Sequence, residues 1–146
     1  MKKLLFLFLS LIGCASGYAQ SITSPNGNVR LTFSLDGTRP QYELTYKNQS
    51  VVLPSHLGLE LAKDKHASKG TQETDLMDGF QIEKTDTNEF DETWEPVWGE
   101  TKTIRNHYNE MAVTLRQPQH QRTIVIRFRV YDDGIGLRYE FPQQRE

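Results

Sequence analysis

An all-β, antiparallel sandwich is the fold this sequence predicts, on three observations. Apolar and polar residues alternate in short runs, which is the period of a half-buried strand. Those runs recur about every eight to twelve residues with turn-forming residues between them. No window sustains the 3.6-residue period of a helix.

The elements follow in order. Asn28 to Leu35 (NVRLTFSL) sets Val29, Leu31, Phe33 and Leu35 on one face and Arg30, Thr32 and Ser34 on the other. Asp36-Gly37 turns the chain, and Gln41 to Tyr46 alternates again with Tyr42, Leu44 and Tyr46 together, giving a first hairpin. Lys47 to Ser50 reads as a polar turn, Val51 to Leu53 as a short strand stopped by Pro54, and Leu57 to Leu61 as another short strand. Ala62 to Asp78 is polar and aperiodic and is expected to be a long exposed loop. Phe80 and Ile82 restart a short strand, Met111, Val113 and Leu115 alternate, and Pro118 ends that run. Thr123 to Val130 (TIVIRFRV) places Ile124, Ile126, Phe128 and Val130 opposite Val125, Arg127 and Arg129. Asp132-Asp133-Gly134 supplies residues that tolerate the left-handed backbone of a tight turn, and Ile135, Leu137, Tyr139 and Phe141 continue the last hairpin.

The first residues carry a separate signal. Met1-Lys2-Lys3 is cationic, Leu4 to Ile12 is an apolar run, and Gly17-Tyr18-Ala19 ends on a small residue, as in a secretory signal peptide over residues 1–19. The run falls short of the roughly 20 residues a membrane-spanning helix needs, and no other stretch spans. The protein is therefore expected to be exported and periplasmic, with lipid anchoring through Cys14 in Leu11-Ile12-Gly13-Cys14 as the alternative. Residues 20–146 remain as one β domain, without a cysteine and so without a thiol nucleophile or thiolate metal site. The chain stops five residues after Phe141 with no closing strand, which reads as the incomplete N-terminal part of something longer. A formal net charge of −2 with interleaved signs argues against a nucleic-acid partner.

Local catalytic motifs are missing. Asp132 and Asp133 could be paired acids, but adjacent side chains at a hairpin tip diverge, and the pair reads as turn chemistry. His56, His66, His107 and His120 have no metal-ligand spacing. There is no nucleophile elbow and no glycine-rich phosphate loop. What remains is DETWEPVWGETKTIRNHYNE, Asp91 to Glu110, which holds both tryptophans. Flat indoles stack on sugar rings while Arg, Asn and carboxylates hydrogen-bond hydroxyls, so Trp94, Trp98, Glu100, Arg105, Asn106 and His107 are the candidate binding residues. An architectural reading stands beside this one, with both indoles pinning a loop and Arg105 pairing locally.

FDETWEPVWGETKTIRNHYNEMAVTL and RTIVIRFRVYDDGIGLRYEFPQQ, together with ITSPNGNVRLTFSLDG and YELTYKNQSVVLPSHLGLEL, closely resemble the N-terminal domain of glycoside hydrolase family 97. Within it they are most similar to the α-glucosidases of bacterial starch-utilisation systems. The resemblance implies a galactose-mutarotase-like supersandwich followed by a catalytic (β/α)8 barrel and a small C-terminal β domain. It further implies hydrolysis of α-linked oligosaccharides with calcium in the active site of the full-length enzyme. The family's catalytic carboxylates lie on the barrel, so none falls in this chain, nor does any metal ligand. The part present would be inactive alone, packing against the barrel with Trp94 to Glu110 as interdomain surface or substrate-pocket rim. A stand-alone carbohydrate-binding sandwich is the alternative.

Overall fold

The computed structural model describes residues 19–61 and 75–143. The leader, including Cys14, most of the expected Ala62–Asp78 loop and His66 fall outside them. Among the described residues, eight strands form two four-stranded antiparallel sheets and no helix occurs. The first sheet runs in the order β1 (Gln20–Thr23), β2 (Val29–Asp36), β3 (Arg39–Tyr46), β4 (Gln49–His56). The second runs β5 (Gln81–Trp94), β6 (Ile104–Gln117), β7 (Arg122–Val130), β8 (Ile135–Glu140). Each sheet is a simple meander of consecutive hairpins, which is what short polar turns between alternating runs encode.

The core is the shared interior of the two sheets. Val29, Leu31 and Phe33 of β2 and Leu44 of β3 face Met111, Val113 and Leu115 of β6 and Ile124, Ile126, Phe128 and Val130 of β7. β1 lies over β6 and β2 over β7. Phe128 sits at the centre, its ring centroid 5.9 Å from Phe33 and 6.3 Å from Tyr42. All the inward residues of β7 are buried because that strand is central in its sheet and covered by the other.

The turns differ in how far they match expectation. Asp36 pairs with Arg39 around Gly37, whose φ of 62° needs no side-chain accommodation. Lys47 and Asn48 both take positive φ between paired Tyr46 and Gln49, the backbone of a type I′ hairpin. In the last hairpin, by contrast, none of Asp132, Asp133 and Gly134 is left-handed. The connection is a four-residue loop closed by a bond from the Tyr131 amide to the Gly134 carbonyl (2.8 Å). Asp132 accepts the Asn26 amide (2.9 Å) and so ties this loop to the β1–β2 turn.

Three further expectations are corrected. Pro54 does not end its strand: β4 runs through it to His56, because β4 is an edge strand and the pairing slips between Leu44–Val52 and Tyr42–Ser55, where no proline N–H is needed. Leu57 to Leu61 is not a strand but a single bridge, Leu59 to Leu76. Leu137 and Phe141 do not join the core; they are exposed because β8 is an edge strand and Phe141 lies beyond its end.

Candidate functional site

The short strand expected at Phe80 and Ile82 is instead the start of β5, a 14-residue strand that pairs with 14-residue β6 as far as Trp94–Ile104. The buried part of β6 begins at Tyr108, so Ile104 to His107 and their partners Asp91 to Trp94 project past the core as a two-stranded arm. An isolated two-stranded ribbon is marginal in water. Cross-strand side chains compensate here. Arg105 grips Asp91 with two bonds of 2.7 Å from Nε and Nη2, His107 meets Glu89 at 3.0 Å, and Asn106 donates to Glu92 at 2.7 Å. The Arg105 guanidinium holds the Asp91 carboxyl below its usual range and is itself raised by that bond.

Alternation along the strands sorts the six candidate residues onto different surfaces. Arg105 and His107 share the face that continues the core side of β6, with Asp91 and Glu89. Trp94 and Asn106 lie on the opposite, outer face, with Phe90, Glu92 and Tyr108. Trp98 and Glu100 belong to the tip loop between Trp94 and Ile104, where Trp98 is 88% exposed and Val97 93%. Arg105 does pair locally, but Trp98 is too exposed to pin anything. Gly99 at the tip has a φ of 134°, which favours glycine.

The outer face of the second sheet carries an ionic network that composition did not single out. Glu110, only 4% exposed, accepts from Arg127 Nη1 through Oε1 and from Arg129 Nε through Oε2 (2.9 Å). Arg127 also bonds both oxygens of Glu140 (2.7 and 3.0 Å), which Arg138 meets as well. Arg127 and then Arg138 depress the Glu140 carboxyl to about 2, and Glu140 in turn raises Arg127. Arg129 lies over the Tyr108 ring, 4.7 Å from its centroid, and burial pushes the Tyr108 hydroxyl up. The signal in the sequence was the pair of arginines at alternate positions opposite the apolar face of β7.

Among the described residues no three His, Cys, Asp or Glu side chains converge as metal ligands. Nor is any helix there long and apolar enough to cross a membrane.

The class that these features define is an all-β sandwich domain with a projecting two-stranded arm. Residues 22–146 match the family described as Glycosyl-hydrolase 97 N-terminal, and the chain belongs to that family. It is similar to a glycoside hydrolase family 97 enzyme from Pseudoalteromonas sp. strain K8, solved as a variant with panose and also with acarbose. In both cases identity is 32%, the TM-score is 0.75, and the match covers 86% of this chain and 18% of the other. A β-arabinopyranosidase shares the fold at 19% identity and a TM-score of 0.71. The chain thus spans less than a fifth of the length of these relatives.

Proposed function

We propose that this chain is the N-terminal sandwich of an exported, calcium-dependent α-glucosidase that hydrolyses starch-derived, α-linked oligosaccharides. The observation that carries the reading is the 32% identity over 86% of the chain to an enzyme crystallised with panose and with acarbose. Calcium and the catalytic carboxylates belong to the longer protein outside these residues. There one acid protonates the glycosidic oxygen while a base activates water. The sandwich acts by position: the tip of the β5–β6 arm, led by Trp98 and Val97, packs on the catalytic part or rims its pocket.

The test compares the longer protein with the 146-residue chain on an aryl α-glucoside, with calcium and after chelation. The expected result is calcium-restorable activity in the longer protein and none in the short chain. Hydrolysis by the short chain, or by the longer protein of an α-galactoside in preference, overturns the reading. Trp98→Ala in the longer protein should lower its melting temperature or its kcat/KM; no change in either removes the tip's role.

A further inference from the structure

The outer face of the arm holds a second arrangement, distinct from the tip. Trp94 and Phe90 lie four residues apart on β5 with uninterrupted pairing between them, so they share a face and stand ~13 Å apart at ~3.3 Å per residue. Both are open to solvent, Trp94 50% and Phe90 40%. Phe90 is fixed in orientation: it stacks on buried Tyr108 at 5.0 Å and 21°, and Tyr108 is braced by Tyr131 at 5.0 Å and by Arg129. Between the two rings, on the same face, sit Glu92 and Asn106, joined by the 2.7 Å bond. That bond uses Asn106 Nδ2 and Glu92 Oε1, so Asn106 Oδ1 and Glu92 Oε2 have no protein partner among the described residues.

We propose that this strip is an accessory binding site for a linear, neutral α-glucan chain. The α-linkage rests on the enzyme reading above; the shape of the ligand rests on the strip itself. Aromatic faces accept the CH faces of pyranose rings, and the two free oxygens accept hydroxyl protons from the sugar between them. The rings are too far apart for one sugar to reach both, so the ligand is an oligosaccharide. The strip is preorganised, since Phe90 is already stacked and Glu92–Asn106 already paired, and little ordering accompanies binding.

Trp94 and Trp98 are the only tryptophans, so a Trp98→Phe variant makes Trp94 the sole fluorescent reporter. Titrating it with an α-1,4-linked glucose heptasaccharide should give a saturable emission shift, and the disaccharide should bind at least tenfold more weakly, roughly 1.4 kcal/mol. Phe90→Ala should weaken the heptasaccharide by a similar factor and Phe90→Tyr should retain it, which separates loss of the ring from loss of fold. No saturable shift, equal affinity for the disaccharide, or an unaffected Phe90→Ala overturns the site. A shift with a β-1,4-linked heptasaccharide but not the α-linked one overturns the α-glucan ligand, whatever the hydrolysis assay shows. In the longer protein, Phe90→Ala should weaken retention on a starch-containing gel; unchanged retention overturns the site by placing the strip under another domain.

Discussion

Replacing Glu110 by alanine tests whether the ionic network on the outer sheet face holds this fold together. Glu110 is 4% exposed and makes two charge-assisted bonds, one to Arg127 and one to Arg129. Bonds of this type contribute about 1.5–3 kcal/mol each. The full sum is not lost, because the Arg129 side chain is 37% exposed and can rehydrate, and Arg127 keeps Glu140. The expected net cost is therefore ~2–3 kcal/mol, which at roughly 3–4 °C per kcal/mol for a domain of this size lowers the melting temperature by about 6–12 °C. Urea unfolding of wild type, Glu110→Ala, Arg129→Ala and the double variant measures it, with a coupling energy of ~1–2 kcal/mol expected between the two residues. A loss below about 1 kcal/mol for Glu110→Ala, or coupling near zero, would show that water replaces these bonds without penalty and refute the reasoning.

Phe128→Ala should cost about 3–5 kcal/mol, since a fully buried ring between Phe33 and Tyr42 leaves a cavity that two sheets cannot close, and thermal unfolding checks it. Gly58→Ala should destabilise although the site is a loop: a Cβ there would stand 2.8 Å from the Leu76 carbonyl oxygen and 3.0 Å from Met77 Cα, so the Leu59–Leu76 bridge must shift, visible as a lowered melting temperature. The Glu140 carboxyl is depressed from 4.5 to about 2, so its contribution is fully present above about 4.5 and fades as pH falls toward about 2. Acid titration should accordingly show wild type and Glu140→Gln converging in stability across that window, and a constant difference between them would contradict the assignment.

The strands legible in the sequence were those with one wet and one dry face. NVRLTFSL and TIVIRFRV alternate because one side meets the opposite sheet, and their partners follow from the turns. The arm was not legible for the same reason reversed. Asp91 to Trp94 and Ile104 to His107 project beyond the core, so no burial imposes an apolar period on them. A signal did exist: Glu89 and Asp91 on one side of a Pro-Gly loop stand against Arg105 and His107 on the other, as an antiparallel ribbon with complementary charges requires. The six candidate residues all come from one segment, but a list of residue types carries no faces. Only the register separates Trp94 and Asn106 from Arg105 and His107.

Both sheets are meanders of neighbouring strands, so every ladder pairs segments that are close in sequence, and only the stretch between β4 and β5 links the two. Backbone pairing within each half can thus be settled early and cheaply, while neither half can shield its own apolar face. Folding then has the character of an encounter between two preformed halves, with Phe33 and Phe128 as the surfaces that must meet. Supplied as separate pieces, the two halves would find each other as two subunits do, at a rate set by their concentration.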